Sequence, residues 1–291
     1  MLANEGHSDW ITVSVLLSRS AADVVTRAAN ISITQYRVLI SLYMTPEGMK
    51  VSEIAEGLDL SASTITISLN KLEQMKAVTR FYDQKDRRVV HVKITDVGKE
   101  LIAKVDPGIK EVAHDFWSCY SSEELELTYK DSGSTASQHH LEYVKDGAMS
   151  IENAYIDASW VIISALEKLM KRANISLNEY RVLYLLYENE DGMRPSDISR
   201  RLLLRSNEVA VAASKLEKHG RIKRERSGED RRSCKLFITE QGLDKLERIT
   251  PGVVEAFKNK ITKLRVGTFE QYDSIAKKVL AQNYSRHLIT I

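Results

Sequence analysis

Apolar residues recur at helical spacing along most of the chain, and the period drops to two in a few short stretches. Behind a Ser8 cap, Ile11, Val15, Ala22 and Val25 predict a long helix over 9–28. Tyr36, Leu39, Ile40 and Tyr43 predict a second over 34–45. Ser52 caps a short third helix, 53–58. Ser61 caps a fourth, 62–76, whose Ile65, Leu69 and Leu72 share one face. Residues 78–81 and 90–94 then alternate around the polar turn Asp83-Gln84-Lys85-Asp86, which predicts a β-hairpin. Helix returns over 96–105 and again at 109–120. The stretch 131–138 (DSGSTASQ) reads as loop, part of a linker over about 131–150.

The same pattern then repeats. At an offset of 144, 26 of the 78 positions from 31 to 108 are identical without a gap. Tyr36-Arg37-Val38-Leu39 returns as Tyr180-Arg181-Val182-Leu183, and Lys71-Leu72-Glu73 as Lys215-Leu216-Glu217. Asp86-Arg87-Arg88 returns as Asp230-Arg231-Arg232, and Pro107-Gly108 as Pro251-Gly252. A period this long marks a duplicated domain rather than a solenoid. The copies are 1–145 and 146–291, and the second places helices at 152–173, 197–202 and 206–220 and a hairpin over 223–237.

A short helix, a tight turn, a second helix and a hairpin make a winged helix-turn-helix. The expected fold is mainly α with small β-hairpin wings. A helix fits the major groove of DNA, and a basic hairpin reaches the backbone or minor groove. Double-stranded DNA is thus the expected partner, read by helices 62–76 and 206–220 with wings 79–93 and 223–237.

Composition narrows the class without changing this picture. At 43% hydrophobic and 28% charged, the 291 residues read as a globular protein of two domains. No apolar run reaches the ~18 residues of a membrane span. Two cysteines, Cys119 and Cys234, make no disulfide framework, so a cytoplasmic protein is expected. Charge separates the copies: 50–91 holds 7 basic and 6 acidic residues, whereas 194–235 holds 13 and 6. Phosphate neutralisation dominates nucleic-acid affinity, so the second copy should bind DNA more strongly.

The run from Leu60-Ser61 through Lys71-Leu72-Glu73 to Asp86-x-Arg88 and Ile94-Thr95-x-x-Gly98 resembles the multiple-antibiotic-resistance regulator (MarR) family. The second copy repeats it with Asp230-x-Arg232 and Ile238-Thr239-x-x-Gly242, so the resemblance covers nearly the whole chain. Members are usually homodimers of chains about half this length, joined through their first and last helices, that bind a pseudo-palindromic operator. The resemblance therefore implies a covalently linked dimer: two winged helices sharing a helical pseudo-dimer core, in a chain that acts as a monomer. The family often carries an arginine in mid recognition helix. Here those positions read Thr66-Ile67 and Ala210-Val211, and an apolar residue there either touches a thymine methyl or means weaker base readout.

The candidate DNA-binding residues are Ser63, Thr64, Thr66, Ile67, Arg87 and Arg88 in the first copy. In the second they are Arg205, Ser206, Asn207, Val211, Arg226, Arg231 and Arg232. Asp86 and Asp230 would orient wing arginines by charge-assisted bonds; a solvated turn with a local ion pair is the plainer alternative. The hydroxyls of 61–68 either contact DNA or cap and solvate the helix, with Ser61 only a cap. Trp10, Trp117, Tyr120 and Trp160 either form core or line a pocket for a small aromatic effector, a feature the resemblance implies. Cys234 lies near Arg231, Arg232 and Lys235, which suits a low-pKa thiol sensor, but an ordinary strand residue is the commoner reading. His139-His140 read as linker residues; no metal spacing, cofactor motif or catalytic constellation is present, so an enzyme is not expected. Two function classes remain. One is a regulator, most often a repressor, that binds the two halves of one site. The other is an interaction protein with degenerate DNA recognition that modulates another regulator.

Overall fold

The computed structural model describes residues 7–83, 89–138, 150–226, 234–264 and 269–289. The first copy runs α1 (His7–Ala29), α2 (Ile33–Tyr43), β1 (Met49–Lys50), α3 (Val51–Gly57), α4 (Ala62–Gln74), β2 (Val78–Tyr82), β3 (Val90–Ile94), α5 (Asp96–Trp117) and α6 (Ser122–Gln138). The second runs α7 (Ile151–Arg172), α8 (Leu177–Tyr187), α9 (Pro195–Leu202), α10 (Ser206–Lys218), β4 (Ile222–Arg226), β5 (Cys234–Ile238), α11 (Glu240–Leu264) and α12 (Phe269–Ile289). None of the described helices is long and apolar enough to cross a membrane.

The chain forms two compact units. One takes Met1–Leu16, Ile162–Lys263 and Thr268–Ile291; the other takes Leu17–Val161 and Leu264–Gly267. The boundaries run through α1 and α7, so each unit holds one winged helix together with a helical segment from the other sequence copy. In the Leu17–Val161 unit, α2 is central and packs on α4 and α5. Leu39, Leu42, Ile54, Ile65, Leu69, Leu72, Val92, Val105 and Ile109 are fully buried there. In the other unit, α8 has the same role against α9, α10 and β5. Ile11 and Trp10 of α1 pack with Ile162, Ile163 and Leu166 of α7 in that core.

Local sequence explains both central helices. Ser32 and Gln35 exchange side-chain bonds at the start of α2, a capping box that satisfies two orphan donors. Ser176 and Glu179 do the same for α8. The hairpin pairs Val78 with Ile94 and Tyr82 with Val90, and β1 adds a third strand in the order β1-β3-β2. The second copy keeps only a bridge, Met193 to Leu236, beside β4-β5.

Two expectations need correction. Residues 131–138 are not loop: they continue α6. Ser121 and Glu124 form a reciprocal cap at its start, and once nucleated a helix extends through weak formers at a modest cost per residue. Helices 96–105 and 109–120 are one helix, α5, which passes through Pro107. Val105 and Ile109 are fully buried on either side of the proline. The bare Cα of Gly108 lies against Val24, where an added Cβ would meet Cγ1 at 2.6 Å. Packing across the proline thus offsets the one backbone bond it removes. α11 repeats this at Pro251.

Candidate nucleic-acid interface

Each winged helix presents one capped helix on a buried base. Ser61 accepts from the Thr64 N–H at 3.1 Å and starts α4. Ile65, Ser68, Leu69 and Leu72 face inward. In α10 the inward residues are Val209, Ala212, Ala213 and Leu216, and Glu208 accepts from the Arg205 N–H at 2.7 Å at its start. The turns before these helices place Asp59 and Leu203 in the left-handed region, at φ 54° and 51°. Leu203 is a branched residue in a conformation that glycine prefers, a local strain held by the Ser199 hydroxyl donating to the Leu204 carbonyl at 2.6 Å.

Several expected DNA contacts stand on the outer faces. Ser63, Thr64, Thr66 and Ile67 are exposed on α4, as are Arg205, Ser206, Asn207 and Val211 at and on α10. Ile67 is 60% exposed and Val211, its repeat partner, 57%. The hydroxyls are partly engaged within the helix. Ser63 and Thr64 each lie 2.8 Å from the Ser61 hydroxyl, and Thr66 donates to the Ala62 carbonyl at 2.8 Å. Ser68 is buried and donates to the Thr64 carbonyl at 3.0 Å, so it belongs to the base of the helix.

The wing tips are only partly visible. Asp86, Arg87 and Arg88, and Asp230, Arg231 and Arg232, lie outside the described residues. So do His139 and His140. Arg226 ends β4, its backbone in register with Cys234. The wing bases carry ion pairs that sequence reasoning missed. Arg80 meets Glu73 at 3.0 Å and donates to Asn70 at 2.7 Å; Arg224 meets Glu217 at 2.8 Å. Lys223 pairs with Glu225 at 2.6 Å, and Lys235 donates to the Asp191 carbonyl at 3.1 Å. The identical spacing of Glu and Arg in both copies was the available signal. At the matching place in the first wing, His91 lies 3.3 Å from Asp83 and stacks on Phe81, while Tyr82 is 68% exposed.

The Thr-x-x-Gly motif is a hinge between wing and helix. Thr95 accepts from the Gly98 N–H and donates to the Lys76 carbonyl at 2.6 Å; Thr239 does the same with Gly242 and the Gly220 carbonyl. Lys76 and Gly220 sit at φ 59° and 64°, just after the recognition helices. The Ala77 and Arg221 amides reach back to the Leu72 and Leu216 carbonyls, which closes both helices with a left-handed cap.

The four aromatic candidates part company. Trp117 packs against Tyr155 and Tyr129, and the Tyr120 hydroxyl lies 3.0 Å from that of Tyr155. Burial holds the Tyr120 phenol well above its ordinary range and pushes Tyr155 up to about 12. Trp117 is core, while Tyr120 and Tyr155 are half-buried. Trp10 packs into the other unit's core. Trp160 lines a small cavity with Tyr36, Arg37, Ile40, Asn153 and Asp157. There Arg37 Nε donates to Asp157 at 2.5 Å and the Tyr36 hydroxyl to Asn153 at 2.8 Å. Burial raises the Tyr36 phenol above its ordinary range. Arg37 and Arg181, each followed directly by Val-Leu in the middle of its helix, were the sequence signal for a buried polar site. In the second winged helix, Arg201 of α9 bonds Asp9 at 3.2 Å and the Tyr284 hydroxyl at 2.9 Å. Cys119 and Cys234 are half-buried thiols.

Comparison with known families and proteins gives a match in each copy. The model described as MarR family matches residues 31–90, and the one described as transcriptional regulator SarA/Rot matches 164–249. The HTH-type transcriptional regulator PecS of Dickeya dadantii is 33% identical over 114 residues, 38% of this chain and 68% of PecS. The HTH-type transcriptional regulator PapX of Escherichia coli is 33% identical over 108 residues, 37% of this chain and 66% of PapX. The HTH-type transcriptional repressor MdtR of Bacillus subtilis is 35% identical over 77 residues, 26% of this chain and 50% of MdtR. The chain thus spans half of MdtR and just under two thirds of PapX.

Proposed function

We propose that this chain, which belongs to the MarR family, is a DNA-binding transcriptional regulator whose two winged helices bind the two halves of one pseudo-palindromic operator. The two copies, 1–145 and 146–291, then supply from one polypeptide what two chains supply in a homodimer. Repression by occupancy of a promoter is the mode this architecture suits best.

The observation that carries the reading is the doubled frame itself. Two 13-residue helices, each capped and each followed by a hairpin, turn repeat-related outer faces to solvent. The second is set in a strongly basic segment, 13 basic against 6 acidic residues over 194–235. Ile67 and Val211 stand where each helix would meet base edges, suited to a thymine methyl. Half-site centres of a pair reading one face of the duplex lie about 10 bp apart. A small aromatic effector would have to open the Trp160 cavity, whose volume of about 20 Å³ admits about one water, to reach Arg37 and Asp157.

The test is a mobility shift at several salt concentrations on the DNA upstream of its own gene and on random DNA, with stoichiometry. One chain per site and a clear preference for the former are expected. A second reading, an interaction protein with degenerate DNA recognition, draws on the first copy's near balance of 7 basic and 6 acidic residues over 50–91. It predicts equal, weak binding to both DNAs.

A further inference from the structure

One ion pair joins the same two elements at the same place in both units. Glu73 on α4 meets Arg80 on β2, and Glu217 on α10 meets Arg224 on β4. Arg80 grips α4 a second time through Asn70. The outer faces of the two helices have diverged completely: no position from 61 to 70 is identical to its partner in 205–214. Yet both members of the pair are kept, seven residues apart, in the same contact.

Stability does not explain the pair. All four side chains are 30–44% exposed, and such surface pairs contribute little. What the geometry controls is direction. Beyond the left-handed caps at Lys76 and Gly220, each hairpin leaves the recognition helix through a tight turn. The arginine on its first strand ties it back to that helix. We propose that Glu73–Arg80 and Glu217–Arg224 are clamps that hold each wing at a set angle to its recognition helix. They fix the distance along DNA between helix contacts and wing contacts, which makes Glu73 and Glu217 positioning residues for DNA recognition. The proposal rests on the reading of α4 and α10 as the DNA-reading helices. A carboxylate already beside each guanidinium argues against phosphate as its main partner, since a neutralised cation releases few counterions.

The experiment compares the full chain with Glu217→Gln, Arg224→Gln and the swapped pair Glu217→Arg with Arg224→Glu. Hydrogen exchange of the hairpin amides is read without DNA. Hydroxyl-radical footprints, affinity and salt slope are read on the selected site. Glu217→Gln should speed exchange in β4 and β5 but not in α10. It should weaken protection at the outer edge of the footprint and spare the part under the helix, with affinity down about fivefold, the upper end for an exposed pair. The swapped pair should restore both. Unchanged hairpin exchange in Glu217→Gln overturns the clamp. So does a swapped pair that stays defective while Arg224→Gln alone lowers the salt slope by about 1, the mark of a direct phosphate contact. If the parent prefers no DNA, the DNA-reading assignment fails by itself, and the exchange arm still decides whether the pair holds the wing. Glu73→Gln with its own swap repeats the test in the first unit should a 217 variant melt.

Discussion

The Thr239 hydroxyl donates to the Gly220 carbonyl at 2.6 Å, and so pins the end of the recognition helix to the start of α11. The first copy repeats the bond from Thr95 to Lys76. Three residues on, each α-helix carries a glycine under the same turn. A Cβ on Gly98 would meet the Ala77 carbonyl oxygen at 2.3 Å, and one on Gly242 the Arg221 carbonyl oxygen at 2.1 Å. Backbone cannot yield as a side chain can. Gly98→Ala and Gly242→Ala should each destabilise by about 1–3 kcal/mol, as overpacking does, measured by urea unfolding. A neutral result would mean that the turn relaxes freely.

Asp157 is the carboxylate partner of a buried arginine. Arg37 is 6% exposed, and its Nη2 is buried without a hydrogen bond. Asp157→Ala should therefore cost about 3–5 kcal/mol, whereas the double change Arg37→Met with Asp157→Leu should cost far less. The two unfolding curves decide it. Similar losses would show that the site holds its shape by packing alone.

Asp9 gives a pH dependence with a definite sign. Burial holds its carboxyl above the ordinary 3.8; Asp273 adds to the rise, and Arg201 and Lys277 oppose it. Burial also raises Glu188, with Asp9 contributing. A group with a raised folded pKa binds its proton more tightly when folded, so its contribution is present below the unfolded value and is lost as pH rises through the folded one. Asp9→Asn should be more stable than the parent at neutral pH, with the advantage fading below about pH 4. A variant that is less stable at pH 7 would mean that the Arg201 bond outweighs desolvation.

Ile67 and Val211 are too exposed to support the core. Ile67→Ser and Val211→Ser should leave stability within about 0.5 kcal/mol. Each should weaken operator binding and relax preference for thymine at one half-site, worth about 0.8 kcal/mol for one buried methyl. Unchanged base preference in selected sites would remove them from the interface.

The wings should differ in salt response. Arg231→Ala with Arg232→Ala should flatten the salt slope by up to about 2. Arg87→Ala with Arg88→Ala should weaken binding less, because the segment around them is nearly balanced in charge. The check is affinity against salt for both double variants. Equal losses would show that the extra charge of the second copy is solvated.

Most of the fold could be read from residue patterns because helices, caps and hairpin each leave a local periodic trace. Ser32, Ser61 and the stripe Ile65, Leu69, Leu72 were such traces. The errors came where local preference yields to context. Proline at 107 breaks a helix in isolation but not between two buried neighbours, and the polar stretch 131–138 extends a helix nucleated at Ser121. Within the interface, exposure of Ile67 and Val211 followed from the helical face, since burial of one face leaves the opposite one outside. The Glu73–Arg80 contact joins a helix to a strand across a turn, and no single-period pattern encodes that. The buried Arg37–Asp157 pair is 120 residues apart in sequence, so only the fold brings it together.

The passage of the unit boundaries through α1 and α7 has a consequence for biosynthesis. Residues 7–16 leave the ribosome before Ile162 and Ile163, with which Ile11 packs. The unit built on Leu17–Val161 cannot close until α7 is made, and the other needs both the first helix and the last. The nascent chain must therefore keep α1 waiting until α7 is made. Contacts this distant in sequence slow folding and leave apolar surface open meanwhile. The order of emergence thus leaves the apolar face of α1 without its α7 partner until that helix is made.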